Sequence, residues 1–189
     1  ASMGIGKELA MIFASDGRDL VLVARSEDRL QSLAQELESE GLEIDALVAL
    51  THLALQGMLA RRRGRILNIA STAGFQPGPD MAVYYATKSF VLLFSEGIAE
   101  EVKDAGVTVT AHCPGATVTN FAGTAGNDQS ILFRLGAAPA DKVARHAYRS
   151  MMKGKVVAIE GLMNWLTAFS VRFSPRFLVR KIARWMNKT

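Results

Sequence analysis

The sequence predicts an α/β fold, in which a parallel sheet carries helices on both faces. Short apolar segments rich in Val, Ile and Leu alternate with longer helical segments along most of the 189 residues. Several of the short segments are continuously apolar, as expected for strands that are buried on both faces. With 49% hydrophobic and 21% charged residues, the composition is that of a globular protein of one domain.

The predicted helices and strands follow one another in a regular order. Predicted helices cover residues 7–15, 26–40, 53–62 and 83–103, and predicted strands cover 19–24, 44–48, 65–70, 107–112 and 155–159. The second helix begins at Ser26, a good N-cap, and has Glu27 and Asp28 in its first turn, where the helix dipole favours anions. We expect this helix to end at Gly41, because glycine commonly follows a helix.

Residues 161–189 form a basic, amphipathic tail, which is predicted to contain two helices. The first shows apolar residues at helical spacing, namely Leu162, Trp165, Leu166, Phe169 and Phe173. The second begins at Ser174 and Pro175, an N-cap followed by a proline at the first helical position. The tail holds six Lys and Arg and no Asp or Glu, so the net charge of +4 is a property of the tail.

Two interpretations of the tail are open. It can pack on its own domain or on a partner subunit, with the cationic groups reaching water. It can instead lie on an anionic membrane surface or on an acidic partner. Packing is favoured, because most aromatic helical stripes belong to a core. Nucleic-acid binding is not expected, since no basic and aromatic platform occurs elsewhere.

Composition also excludes several kinds of site. Cys113 is the only cysteine, so no internal disulfide is possible, and the scattered histidines (His52, His112 and His146) predict no metal site. No run of about 18 apolar residues is present, so we expect no membrane-spanning helix. We recognise no secretory signal, and the cytoplasm is the expected location.

Tyr84 and Lys88 form the first candidate catalytic pair. On the helix predicted over residues 83–103 they are four apart and therefore share a face. A phenol has a pKa of about 10, and a nearby ammonium lowers it, so that the phenol can exchange protons with an alcohol or ketone oxygen. The alternative is an ordinary exposed helical pair, since this spacing is common.

Ser71 supports the catalytic interpretation, because it directly follows the strand predicted over residues 65–70. Sites in open α/β sheets form at the carboxyl ends of strands. There the serine hydroxyl is placed to hydrogen-bond the same oxygen that Tyr84 protonates. The alternative is a turn serine before Gly74.

Four segments together resemble the short-chain dehydrogenase/reductase family, in the family's order along the chain. They are ASMGIG (1–6), similar to the end of its TGxxxGxG turn; ILNIASTAG (66–74), similar to the strand before its catalytic serine; YYATK (84–88), a match to YxxxK; and CPGATVT (113–119), similar to PGxxxT. The resemblance implies a Rossmann-like, doubly wound parallel sheet. Residues 1–160 would be the NAD(P)-binding domain, and residues 161–189 a helical tail of the same domain.

The resemblance also implies a role for each matching residue. Tyr84 would donate or accept the proton, Lys88 would lower its pKa and hold the nicotinamide ribose, and Ser71 would stabilise the reacting oxygen. Glycines would let the backbone approach the cofactor's pyrophosphate at a helix N-terminus, within the set Ser2, Met3, Gly4, Ile5 and Gly6. The nicotinamide would be bordered by Pro114, Gly115, Thr117 and Thr119. Taken singly, the glycines also fit an ordinary turn, and the Pro-Gly pair also fits a strand terminator.

Arg25 indicates the preferred cofactor. In NAD-preferring members of the family an acidic residue usually ends the second strand, whereas here Ala24 stands at that place and Arg25 follows. A guanidinium suits a 2′-phosphate, so we predict NADPH over NADH. The alternative is a solvated charge at the start of a helix.

The chain also departs from the family's pattern. The strand before the glycine turn, a third strand after Gly41 and the NNAG segment are missing, and Ala46 stands where the family has a helical Asn. We expect that ordered segments have been joined near Val48 and Ala49, and near Gly41, in a form without bound cofactor. A truncated chain that kept the motifs but lost the site is the alternative.

The predicted function is an NADP(H)-dependent oxidoreductase that interconverts a carbonyl compound and an alcohol by hydride transfer, as a homo-oligomer. Residues 120–135 follow the PG segment, where family members place a substrate lid, and their mixed content suits a medium-sized, mainly apolar substrate. The alternative is a non-catalytic binding or scaffolding protein on the same fold.

Overall fold

The computed structural model describes residues 4–16, 33–118 and 136–187, with the backbone alone over residues 33–43. Its helices are α1 (Gly4–Ser15), α2 (Leu33–Ala60), α3 (Ala82–Val102), α4 (Ala140–Met152), α5 (Leu162–Ser170) and α6 (Arg176–Met186). Its strands are β1 (Gly64–Ile69), β2 (Val107–Cys113), β3 (Thr117–Val118), β4 (Ala138–Pro139) and β5 (Val157–Ile159). Short 3-10 helices lie at Thr72–Phe75, Lys103–Ala105 and Val171–Phe173.

The central sheet of the described residues is parallel, with the strand order β1-β2-β5. Strand β1 pairs with β2 from Gly64 opposite Val107 to Ile69 opposite His112, and β5 continues the sheet on the far side of β2. Because the strands are parallel, their carboxyl ends meet at one edge. Strands β3 and β4 form a separate parallel pair beyond that edge.

Helices cover both faces of this sheet, as the sequence predicts. Alternate residues of β2, such as Val109 and Ala111, lie in the clusters that include α3. The opposite face is covered by α1 and α4, where Leu9 and Phe13 pack with Ala147 and with residues of β1. The predicted α/β fold is therefore confirmed. The strand predicted over residues 19–24 lies outside the described residues.

Helix α2 corrects two predictions. It runs without interruption from Leu33 to Ala60, so the predicted helix end at Gly41 and the predicted strand at 44–48 are wrong. A short apolar run fits a strand or a helix equally well, and a glycine inside a helix costs only about 1 kcal/mol. The helix also passes through the junction expected at Val48 and Ala49. Leu55 and Met58 of its last turns pack on the core beside α3.

Helix α4 was not predicted from the sequence, although its signals are present. Its buried residues recur at helical spacing, with Val143, Ala147 and Met151 each four apart. Asp141 lies in the first turn and Arg149 in the last, as the helix dipole favours. The small alanines of this helix make a weakly hydrophobic segment, which is why the apolar pattern is inconspicuous.

Both helices predicted in the tail are present. Helix α5 follows β5 directly. Helix α6 starts one residue later than predicted: Pro175, not Ser174, is the N-cap, and the Ser174 hydroxyl donates to the Ser170 carbonyl oxygen at 2.9 Å instead of capping the helix. Asn187, at the end of α6, accepts a hydrogen bond from the Tyr85 hydroxyl at 2.9 Å and donates one to the carbonyl oxygen of Pro79 at 2.9 Å. The tail is therefore tied to the first turn of α3. That residues 1–160 and 161–189 make up one domain stays a prediction.

No helix within the described ranges is both long enough and apolar enough to cross a membrane.

Candidate active site

Ser71 lies just past the carboxyl end of β1 and is buried. It caps the 3-10 helix Thr72–Phe75, and its hydroxyl oxygen accepts a hydrogen bond from the Ala73 N–H at 3.1 Å. The hydroxyl also points to the Pro114 carbonyl oxygen, 3.5 Å away. The hydroxyl therefore has the role of a turn serine, which was the alternative interpretation of this residue. The same contacts also fix the hydroxyl at the carboxyl edge of the sheet.

The turns that follow β1 and β2 are joined at this edge. The Pro114 carbonyl oxygen accepts hydrogen bonds from the Thr72 N–H at 3.0 Å and from the Thr72 hydroxyl at 3.3 Å. Two residues before Thr72, directly after β1, the Ala70 N–H donates to the His112 carbonyl oxygen at 2.8 Å. The predicted catalytic turn and the predicted nicotinamide turn therefore form one connected backbone unit.

Tyr84 and Lys88 lie on the first turns of α3, facing the same edge. The Lys88 ammonium is 5.8 Å from the centroid of the Tyr84 ring and donates to the Ile69 carbonyl oxygen at 3.4 Å. Lys88 thus links the last residue of β1 to the phenol ring. Both side chains are half-buried, which leaves them accessible to a ligand.

Gly74 allows the serine turn to approach this helix. A Cβ placed on Gly74 would lie 2.7 Å from the Lys88 carbonyl oxygen, which is part of the helix backbone and cannot move aside. The absence of a side chain at Gly74 therefore holds the Ser71 turn against the turn of α3 that carries Lys88. In this way the structure brings Ser71, Tyr84 and Lys88 to one edge of the sheet.

Tyr85 differs sharply from the neighbouring Tyr84. It is buried, and its hydroxyl is engaged by Asn187. Burial raises the pKa of Tyr85, and the side-chain hydrogen bonds with Asn187 and Gln76 only partly oppose that effect. Gly78 packs so closely on the Tyr85 ring that a Cβ there would lie 2.1 Å from ring carbons. Of the two adjacent tyrosines, only Tyr84 is placed for proton exchange with a ligand.

The start of α1 provides an anion-compatible helix N-terminus. Gly4 opens the helix with a φ of 57°, a conformation that favours glycine, and the first turn contains no acidic residue. Ile5 packs on the same cluster as Ile69, the last residue of β1, which places the beginning of α1 near the edge that carries Ser71. Gly6 follows within the first turn. These features fit a dinucleotide pyrophosphate.

The remaining predicted cofactor residues follow β2. Pro114 is buried, and the Thr117 hydroxyl donates to the Gly115 carbonyl oxygen at 3.0 Å. A Cβ on Gly115 would lie 2.6 Å from the side chain of Asn164, at the start of α5. Asn164 in turn donates to the Glu160 carbonyl oxygen at 2.8 Å.

Asn164 was missed in the sequence analysis. Its position shortly after the last strand, three residues beyond Gly161, was the available signal. Four predicted site residues lie outside the described residues, as does the predicted lid segment 120–135: Ser2, Met3, Arg25 and Thr119.

Comparison with known proteins agrees with this geometry. The family described as short chain dehydrogenase matches residues 42–130. A short-chain dehydrogenase from Sphingobium yanoikuyae, solved in complex with NADPH, is 26% identical, with a TM-score of 0.70 over 92% of this chain and 91% of that chain. A short-chain dehydrogenase from Burkholderia cenocepacia, solved with NADP, shares the fold at 16% identity, with a TM-score of 0.64 over 95% of this chain and 74% of that chain.

Two curated relatives match a smaller share of this chain. The very-long-chain 3-oxoacyl-CoA reductase of Bos taurus is 28% identical over 63% of this chain and 58% of its own length. The 17-beta-hydroxysteroid dehydrogenase type 3 of Mus musculus is 28% identical over 60% of this chain and 57% of its own length. The chain therefore spans less than two thirds of these relatives. Together with the fold, the matches show that this chain is similar to short-chain dehydrogenases and has a Rossmann-type fold of their kind.

Proposed function

We propose that this protein interconverts a carbonyl compound and an alcohol, with NADP(H) as the hydride carrier. The observation that carries the proposal is the grouping at the carboxyl edge of β1. There the Lys88 ammonium lies 5.8 Å from the Tyr84 ring, next to the turn that holds the Ser71 hydroxyl. The similarity of residues 42–130 to the short chain dehydrogenase family supports the same reaction class.

In the reducing direction, Tyr84 would deliver the proton. When bound, NADPH supplies the hydride that reaches the carbonyl carbon. The carbonyl oxygen then gains negative charge, and the Tyr84 phenol transfers its proton to that oxygen, which completes the alcohol. Ser71 donates a hydrogen bond to the developing oxyanion. The Lys88 ammonium favours the resulting phenolate by direct electrostatic attraction. In the oxidising direction the phenolate accepts the alcohol proton.

The residues that would hold the cofactor are distributed over three elements. The first turn of α1, with Gly4 and Gly6, suits the pyrophosphate, and Lys88 suits the ribose beside the nicotinamide. Pro114, Gly115 and Thr117 would border the nicotinamide. The preference for NADPH rests on Arg25 in the sequence, and the NADPH complex of the Sphingobium yanoikuyae relative is consistent with it.

The substrate is proposed to be an apolar carbonyl compound. The two curated relatives carry the names of enzymes for very-long-chain 3-oxoacyl-CoA and for hydroxysteroids, in which the acyl chain and the steroid skeleton are apolar. This agrees with the mixed, largely apolar content of residues 120–135. A homo-oligomeric assembly in the cytoplasm remains part of the proposal.

An NADPH-consumption assay over a panel of apolar ketones, 3-oxoacyl-CoA thioesters and oxosteroids tests this function. Tyr84→Phe removes only the phenol hydroxyl and should lower kcat by about 10²-fold or more, since general acid catalysis contributes that much. Tyr85→Phe, on the next residue, is the matched control and should retain turnover. Equal activity in Tyr84→Phe and the unmodified chain would refute the assigned role.

The same assay separates the enzyme from a non-catalytic protein on this fold. A scaffold would show no turnover with any member of the panel and no binding of NADPH in a titration. Binding of NADPH without turnover would support the proposed cofactor site but contradict the proposed class of substrate.

A further inference from the structure

The tail presents an unusual surface, which we call the tail surface: the exposed side chains of α5, of the 3-10 turn Val171–Phe173 and of α6. More than half of the exposed large apolar side chains of the described residues lie here, although the tail is a small part of the chain. We propose that the tail surface binds the surface of an anionic lipid bilayer. The proposal goes beyond the reaction and does not depend on it.

Helix α5 and the turn after it form the aromatic part of the tail surface. Ala168 is the only fully buried residue of α5, while Met163 and Phe173 are 74% and 75% exposed. The Trp165 and Phe169 rings stack with centroids 5.2 Å apart, and Phe169 meets Phe173 edge-on at 5.2 Å. Each of these rings contacts the next and is at least 45% exposed, so together they make a continuous apolar strip that reaches the solvent.

Helix α6 has three distinct stripes. Val179 and Ala183, four residues apart, face the protein and are buried. The adjacent stripe consists of Leu178, Ile182 and Trp185, at i, i+4 and i+7 spacing, with exposures of 42%, 52% and 55%. The third stripe is cationic and exposed, and it includes Arg180 and Arg184. One face is therefore fixed to the protein, and the apolar and cationic stripes remain available to a partner.

The charge of the tail surface points to an anionic partner. The tail has six Lys and Arg and no acidic residue. Arg184 faces Asp80 at 3.8 Å, but both side chains are more than half exposed, so solvent screens this pair. A partner that supplies negative charge along the whole tail would lower its electrostatic self-repulsion.

A lipid bilayer satisfies both chemistries at once. Aromatic and aliphatic side chains enter the boundary between headgroups and acyl chains, while Arg and Lys reach up to anionic headgroups. A second copy of this chain fits less well, because a twofold contact would place the same patch against itself, with cations facing cations. An extended two-helix strip also suits a planar surface better than a small ligand.

The two tryptophans of the chain, Trp165 and Trp185, both lie on the tail surface, so intrinsic fluorescence reports on it directly. The full chain should bind vesicles of phosphatidylcholine mixed with phosphatidylglycerol in a flotation assay, with a blue shift of the tryptophan emission. Binding to pure phosphatidylcholine vesicles should be at least tenfold weaker, and added salt should weaken the anionic binding.

Charge and apolar variants test the two parts separately. Arg180→Glu with Lys181→Glu should weaken binding to the anionic vesicles at least tenfold, since each cation near such a surface is worth about a fivefold change. The matched control reverses two exposed arginines elsewhere, Arg61→Glu with Arg63→Glu, and should leave binding unchanged. Phe173→Ser should also weaken binding, whereas Leu53→Ser, at a similarly exposed leucine of α2, should not.

Three results would overturn the proposal: failure of the folded chain to float with anionic vesicles, equal loss of binding in the control variants, or a soluble dimer that Phe173→Ser dissociates. The last result would assign the tail surface to a second copy. Circular dichroism confirms that each variant is folded. Because Tyr84→Phe should bind vesicles normally, failure of the enzymatic proposal and failure of this one are distinguishable.

Discussion

Tyr84 and Tyr85 show how adjacent residues of one helix divide two tasks. A helix turns about 100° per residue, so two neighbouring side chains face different surroundings. Tyr85 points inward and hydrogen-bonds Asn187, while Tyr84 is half-buried beside the Lys88 ammonium. The sequence predicted Tyr84 through its spacing to Lys88, but the partner of Tyr85 lies 102 residues away. No local pattern could have revealed that contact.

Cys113 gives a prediction at the same scale. It is fully buried at the end of β2, and burial raises the pKa of its thiol to about 12. Only the thiolate reacts with alkylating agents, so we expect no modification of the native protein by iodoacetamide near neutral pH. In denaturant the thiol should be modified completely. Mass spectrometry distinguishes the two states, and rapid labelling of the native chain would contradict this placement.

At the scale of the elements, the sequence predicts helices and strands most reliably where an apolar pattern and a residue typical of an element's end occur together. Strand β2 and helix α3 lie within one residue of their predicted bounds, because each carries a long apolar pattern and Gly106, with a φ of 74°, lies between the end of α3 and the start of β2. Helix α2 was misassigned because the run at residues 44–48 fits either structure. In the structure this run continues as one helix to Leu55 and Met58, which pack against the core, and single-sequence patterns do not contain that continuity.

Gly74, in the Ser71 turn, and Gly97, in α3, test how that turn is held against the helix. Gly74→Ala would place a Cβ 2.7 Å from the Lys88 carbonyl oxygen, and we expect a loss of about 1–3 kcal/mol in the free energy of unfolding, together with lower turnover. Gly97→Ala is the matched control, because nothing lies within 4 Å of a Cβ there. In the interior of α3 this alanine should stabilise the protein by about 0.5–1 kcal/mol.

Urea denaturation of the two variants measures both changes. Gly74 lies in a turn and Gly97 in a helix, so their backbone propensities differ. The sign of the change in the free energy of unfolding therefore distinguishes the two variants, rather than its size. If Gly74→Ala were as stable as the unmodified chain, the close approach of the Ser71 turn to α3 would not be required.

At the scale of the whole molecule, the sequence predicts the layers of the fold but not how the tail closes it. Alternation of strands and helices is sufficient to predict a parallel sheet covered on both faces. The contact of Asn187 with Tyr85 and Pro79 joins the end of the chain to the first turn of the helix with Tyr84. Through this contact the end of α6 is fixed beside the first turn of α3, while the apolar and cationic stripes of α6 form part of the tail surface.

His112 of β2 and His146 of α4 form a contact between the sheet and the helix that covers it. This pair predicts that the stability of the whole fold depends on pH. The His112 Nε2 and His146 Nδ1 atoms are 2.9 Å apart, and His112 is fully buried. Burial lowers the pKa of His112 to about 3 and lowers that of His146 as well. The unfolded chain binds protons at these histidines at a pH of about 6.5, whereas the folded chain excludes them from His112 until about pH 3.

Stability should therefore be greatest above pH 6.5 and fall as the pH decreases from 6.5 toward 3, because the unfolded state then binds more protons than the folded state. Each such histidine contributes a slope of up to about 1.4 kcal/mol per pH unit within that window. Urea denaturation between about pH 7.5 and pH 4.5 measures the slope. His112→Leu should make it shallower, while His52→Gln, at an exposed position on α2, should leave it unchanged. Equal slopes in His112→Leu and the unmodified chain would show that the buried pair does not set the acid sensitivity of this fold.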